Sequence, residues 1–254
     1  MIFDTHAHYD LEQFDYDRDE ILKTMTDNGV GRIVNAASDV ASWQAVLDLI
    51  QKYPNVYGSI GVHPDLVNEL NEEHFAKMRQ LALTDKIVAI GEIGLDYYWD
   101  VVEHEEQKKW FIRQLDLARE LELPVMIHSR EAAADTLAIM KQYAKGLNGV
   151  LHCFSYSVEM AHEYIKLGFY IGVGGVVTFK NGRKLKEVVE GIPLSSIVLE
   201  TDCPYLAPVP YRGKRNISSY LTYVAEEIAK LKGISYDEVV EQTTKNANQL
   251  YRLP

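Results

Sequence analysis

Histidines and acids recur in this chain at spacings that suit metal binding. His6 and His8 lie one residue apart in Asp-Thr-His-Ala-His. In an extended strand, positions two apart point to one side, so both imidazoles can face one cation. Glu92 and Asp202 add anionic oxygen, and a Glu carboxylate has lone pairs on both oxygens with which to bridge two cations. His128 and His152 each end an apolar run and could share a second ion. A mixed shell of imidazole and carboxylate suits Zn, Mn, Fe or, with fewer histidines, Mg. Two such ions about 3.5–4 Å apart can activate a water and hold a phosphoryl oxygen together. Taken singly, His128 reads as a hydrogen-bonded core histidine, and Asp202, before Cys203-Pro204, as a turn former. Their joint placement argues otherwise, because buried carboxylates and imidazoles cost several kcal/mol unless paired or coordinated.

The elements that must position these groups follow from the apolar pattern. Short β-rich runs recur at 2–4, 32–35, 56–60, 87–91, 124–127, 149–151, 169–173 and 197–199. Most are continuous, as expected of strands buried on both faces. Amphipathic stretches at 17–27, 40–52, 72–83, 103–121, 131–143, 158–167 and 182–190 read as helices, with two more near 219–231 and 235–245. Eight strands alternating with helices over 254 residues predict an α/β fold, a (β/α)8 TIM barrel of usual size about 250 residues. No break in composition divides the chain, so residues 1–254 read as a single domain. An open doubly wound sheet is the runner-up, but it usually has a glycine-rich turn after its first strand, where this chain has histidines.

A barrel gathers its chemistry at the C-terminal ends of its strands. Here the first run is followed by His6 and His8, the third by His63, and the fourth by Glu92 and Asp96. The fifth ends at His128, the sixth at His152, and the eighth in Leu199-Glu200-Thr201-Asp202. The remaining histidines, His74, His104 and His162, fall in helical stretches beside glutamates.

Composition limits the partners. Lys plus Arg is 26 and Asp plus Glu 37, a net charge of −11. That argues against a broad basic face that coats nucleic acid. It leaves room for a local site where cations meet phosphate. Two cysteines make no disulfide framework, the N-terminus has no signal-peptide pattern, and no apolar run approaches a membrane span. A soluble, cytoplasmic protein with no membrane partner is expected. Cys153 and Cys203 each follow a candidate ligand and read as buried, inert thiols.

The segments DTHAHYD, GVHPD, GEIGLDYYWD, PVMIHSRE, HCFS, GGVVTFKN, LETDCPYLAP and RGKRN together resemble the TatD-related metal-dependent deoxyribonucleases of the amidohydrolase superfamily. The resemblance spans residues 4–216. It implies a divalent-metal hydrolase on a (β/α)8 barrel with two ions, Mg, Mn or Zn. His6, His8, Glu92 and Asp202 would hold one ion, and Glu92, His128 and His152 the other. It also implies that Asp202 accepts the proton of the attacking water, and that His63 contacts phosphate or a product group. Where many dinuclear amidohydrolases bridge their ions with a carboxylated lysine, this chain has Glu92. That favours the nuclease-like branch. After Arg-Gly-Lys-Arg-Asn the family usually continues with Glu-Pro, whereas this chain has Ile217-Ser218-Ser219.

Nucleic acid also requires cations near the metals. Arg130, Lys180, Arg212, Lys214 and Arg215 fall in loops after strands and are candidate phosphate contacts. Tyr97, Tyr98, Trp99 and Phe154 could stack on bases. The expected activity is phosphodiester hydrolysis of single-stranded DNA ends, as a 3′–5′ exonuclease. The alternative is hydrolysis of another ester or an amide, such as an aminoacyl-tRNA linkage.

Overall fold

Each apolar run forms a strand, and each strand leads into a helix. The computed structural model describes residues 1–99 and 101–254. The strands are β1 (Ile2–Ala7), β2 (Val30–Ala36), β3 (Val56–Ile60), β4 (Ile87–Asp96), β5 (Val125–Arg130), β6 (Gly149–Leu151), β7 (Phe169–Val173) and β8 (Ile197–Leu199). They pair in sequence order, every neighbour parallel. The ring closes between first and last strands: Ala7 bridges Cys203, the Asp202 N–H donates to His6 O at 3.0 Å, and the His8 N–H donates to Cys203 O at 2.9 Å. The result is a single α/β domain built as a (β/α)8 barrel, as the strand count predicts.

The helices are α1 (Arg18–Thr24), α2 (Ser42–Lys52), α3 (Glu72–Leu81), α4 (His104–Glu120), α5 (Ala133–Tyr143), α6 (Val158–Lys166), α7 (Arg183–Gly191), α8 (Leu221–Lys232) and α9 (Tyr236–Tyr251). Among the described residues, no helix is long and apolar enough to cross a membrane.

Strand alternation separates two apolar layers. Ile33, Val56, Ile127, Ile171 and Ile197 pack beneath the helices. Phe3, Val34, Val88, Met126, Val150 and Val198 form the other layer, which Leu250 and Tyr251 of α9 join. The helical pattern predicts an end for α9 near 245, but it runs on to Tyr251. Tertiary contacts supply the reason. The Asn246 amide donates to Ile197 O at 2.7 Å, and the Tyr251 hydroxyl donates to Thr5 O at 2.9 Å. A capping box of Ser235 and Glu238 starts the helix.

Strands β1, β4 and β5 each run at least three residues past their apolar cores, and each carries a candidate ligand. β4 stays buried through Glu92 to Asp96, and β5 extends past His128 to Arg130. The two strands come very close where Gly94 pairs with His128. Gly94 has φ +149, and a Cβ there would fall on the His128 carbonyl oxygen. Glycine alone fits both constraints.

Candidate metal centre

Six of the residues singled out by position converge at the strand ends. The Nε2 atoms of His6 and His8 lie 2.9 Å apart. Asp202 Oδ1 stands 3.5 Å from His6 Nε2 and 3.4 Å from His8 Nε2. Glu92 Oε2 is 3.5 Å from His6 Nε2 and 3.7 Å from His8 Nε2. The other Glu92 oxygen, Oε1, is 2.9 Å from His128 Nδ1 and 3.4 Å from His152 Nε2. One carboxylate thus addresses two imidazole sets, one with each oxygen. The His6 and His152 rings stack 3.7 Å apart, joining the sets.

His63 also reaches this cluster. Its Nε2 is 3.7 Å from Glu92 Oε1. Among the described residues, the groups with ligand atoms near enough to share one ion are His6, His8 and Glu92; His6, His152 and Asp202; His63, Glu92 and His128; and His63, Asp65 and Asp96. The imidazole and carboxylate donors fit a hard or borderline divalent cation, and they lack the thiolates that a soft ion favours.

Three of the imidazoles have a hydrogen-bond partner behind them, which fixes ring orientation, and the fourth, His152, has an acid within ion-pair distance. His8 Nδ1 is 3.0 Å from Ala36 O, and His6 Nδ1 is 2.7 Å from Met126 Sδ. His128 Nε2 lies 2.8 Å from Asp96 Oδ2, and His152 Nδ1 lies 3.5 Å from Glu200 Oε2. Gly172 leaves the room that Glu200 fills, since a Cβ there would collide with the Glu200 carboxylate. No catalytic or ligating role for Asp96 or Glu200 follows from their positions after strands four and eight alone. The available signal is spacing, an acid four residues beyond Glu92 and another two before Asp202.

Without cations, charge is shared between acids and imidazoles. Burial opposes ionisation of Glu92, but His152, His6 and His128 overcome it and hold the carboxyl well below its ordinary range. Burial likewise opposes ionisation of Asp202, and His8 is foremost in pulling it down. Burial disfavours the charged form of His8, yet Asp202 and Glu92 raise it to about 9. The same balance, with Asp96 and Glu92, raises His128 to about 9. Burial and the neighbouring His128 push His63 down to about 3. Against burial, Glu200 and Glu92 likewise raise His152 well above its ordinary value; both Glu92 and Asp202 are therefore anionic, and a cation would replace protons on His8, His128 and His152.

The candidate phosphate contacts stand outside this cluster and differ among themselves. Arg130 is exposed, its guanidinium 3.7 Å over the Tyr98 ring and 5.5 Å from Trp99. Arg212 lies 4.2 Å over Phe179, and Lys214 lies 5.8 Å from the Tyr211 ring. Lys180 is exposed in the turn before α7. Arg215 is already engaged: it donates to Asp17 Oδ1 at 2.8 Å and to Gln13 O at 2.6 Å. Of the aromatics, Tyr98 and Trp99 are exposed, at 48% and 57%. Phe154 is buried, and Tyr97 stacks on His104 while its hydroxyl donates to Asp135. Cys203 is buried, as expected, whereas Cys153 is only half-buried and borders a cavity; its thiol is still pushed up to about 12 by desolvation in its surroundings.

An eight-stranded parallel barrel carrying one acid between two imidazole sets defines a class, and comparison with known proteins supplies the family. Residues 3–252 match the sequence profile described as TatD related DNase, and the chain belongs to that family. It is 44% identical over 254 residues to the uncharacterized metal-dependent hydrolase YabD of Bacillus subtilis, covering all of both chains. It is 33% identical over 259 residues to the 3′-5′ ssDNA/RNA exonuclease TatD of Erwinia tasmaniensis, covering 99% of this chain and all of that one. The crystal structure of YjjV, a TatD homologue from Escherichia coli, superposes with a TM-score of 0.93 at 30% identity, covering 100% of this chain and 98% of that chain.

Proposed function

We propose that this protein is a divalent-metal-dependent phosphodiester hydrolase that removes nucleotides from the 3′ end of single-stranded DNA. The observation that carries this reading is the split of Glu92, with Oε2 toward His6 and His8 and Oε1 toward His128 and His152. That arrangement suits a pair of ions, with Mg, Mn and Zn as candidates. His6, His8, Glu92 and Asp202 would hold one, and Glu92, His128 and His152 the other. When bound, the ions supply Lewis acidity that makes water a nucleophile near neutral pH and offsets charge on the phosphoryl oxygens.

The chain's own groups do the rest. Asp202 is anionic, and 19% of its side chain remains open at the mouth. It accepts the proton from the attacking water. Glu92 keeps the two imidazole sets in register, and Asp96, Ala36 O and Glu200 keep the rings aimed. His63, at the same acid, contacts the phosphoryl group or the product. Arg130, Lys180, Arg212 and Lys214 meet phosphates of the approaching strand, and Arg215 holds that loop to Asp17. Tyr98 and Trp99 offer faces on which bases stack. The named activity of the Erwinia tasmaniensis relative supports a polynucleotide substrate.

The test is hydrolysis of 5′-labelled single-stranded DNA by protein stripped of metal. We expect no cleavage until Mg, Mn or Zn is restored, then a ladder that shortens from the 3′ end. Undiminished cleavage in excess chelator would overturn the metal reading, and cleavage of esters or amides alone would overturn the substrate.

A further inference from the structure

A cavity of about 330 Å³ opens directly beside Asp202. It lies between the segment after β6, the segment after β7 and the first turn of α7. Phe154, Val176, Leu185 and Leu206 form its apolar surface, and Ser155 and Asn181 bring polar side chains to it. Glu200 and Asp202 mark its inner end, against the metal centre, and Lys184 stands on the α7 side. None of the proposed ligands besides Asp202 lines it.

We propose that this cavity seats the terminal nucleoside of the strand being cut. The inference rests on the phosphodiester reading and adds the place and shape of substrate recognition. A phosphodiester held at Asp202 has a nucleoside on each side. One can pass outward over Tyr98, Trp99 and Arg130, which are exposed. The other needs a space that touches Asp202, is large enough for a flat heterocycle and its sugar, and is mostly apolar with a few polar atoms at the edge. Ligand sites of this kind start near 300 Å³. The cavity meets each requirement. α7 walls its outer side, with Leu185 buried in that wall. A slot backed by this helix accommodates a chain end more readily than a strand that must continue past it. Exonuclease action is then a consequence of shape, and weak discrimination among bases follows from apolar walls.

Two measurements test this. The first is calorimetric binding of deoxyadenosine monophosphate and of inorganic phosphate to the Mn-loaded protein. The nucleotide is expected to bind at least tenfold more tightly; equal affinities would overturn the proposal. The second uses Leu206→Trp and Asn181→Trp, which fill the cavity from different sides. Asn181 is exposed, so its replacement leaves the core intact. Both variants should lose the preference for nucleotide over phosphate. Their kcat/KM for a single-stranded oligonucleotide should fall at least tenfold further than that for methyl p-nitrophenyl phosphate, which has no nucleoside. Equal losses on both substrates, or a retained nucleotide preference, would overturn the pocket assignment. Wild-type protein that binds the nucleotide preferentially but cleaves neither substrate would instead overturn the phosphodiester reading.

Discussion

Asp96 Oδ2 lies 2.8 Å from His128 Nε2, on the opposite edge of the ring from Glu92. The second Asp96 oxygen accepts from the Tyr98 N–H at 2.9 Å, so the acid itself is fixed. It sets which imidazole nitrogen carries the proton and leaves Nδ1 free to ligate. Asp96→Asn removes the charge behind the ring. Metal affinity, read by competition with a chelating dye, should weaken about 10–100-fold. Unchanged affinity would show that Asp96 does not support His128.

Asp202→Asn tests proton transfer. At saturating metal, kcat should fall at least about a hundredfold, the usual contribution of a general base. Circular dichroism should remain that of the wild type. A variant retaining most of its kcat would remove Asp202 from the role of proton acceptor.

Stability of the metal-free protein should depend on pH with a definite sign. His8 and His128 are raised from 6.5 to about 9 in the fold. Folding therefore takes up protons, and the stabilisation is complete below about 6.5 and lost as pH rises through about 9. The melting temperature in excess chelator should fall between pH 7 and 9.5. Metal affinity should rise over the same range, because binding displaces these protons. A flat or rising melting temperature in chelator would contradict the charge balance described for the cluster.

The basic residues of the 212–215 segment should separate by measurement. Arg212→Ala and Lys214→Ala should each lower the salt dependence of single-stranded DNA binding, by about 0.7 in log–log slope for each phosphate no longer neutralised. Arg215→Ala should leave that slope alone. It should instead cost about 1 kcal/mol of stability by removing the Asp17 pair, a shift of about 2–4 °C in Tm. A change of slope in Arg215→Ala would place that residue on the substrate instead.

Much of the barrel is legible in the sequence because strands buried on both faces must be apolar throughout, and candidate ligands at their ends interrupt that pattern. His6, His8, Glu92, His128, His152 and Asp202 stand out for this reason. Other features depend on contacts between distant positions. Arg215 reads as a loop cation, and nothing local reveals that Asp17, far back in the chain, occupies it. Tyr97 reads as a stacking face, yet the Asp135 bond claims it, and Phe154, read the same way, is buried and shows only in the wall of the cavity beside Asp202. The length of α9 depends on carbonyls of β1 and β8 that a helical pattern cannot register. His63 is legible as functional, but its approach to Glu92 depends on the barrel's curvature.

The closure of the ring between β1 and β8 has a consequence for biosynthesis. His6 and Asp202 are hydrogen-bonded through their backbones at the seam, and their side chains meet in the same cluster. During translation His6 emerges long before Asp202, which lies 196 residues further along the chain. No nascent chain ending before β8 can assemble the full set of proposed ligands. The proposed centre is thus absent until the polypeptide has closed on itself, and partly made copies carry no finished site.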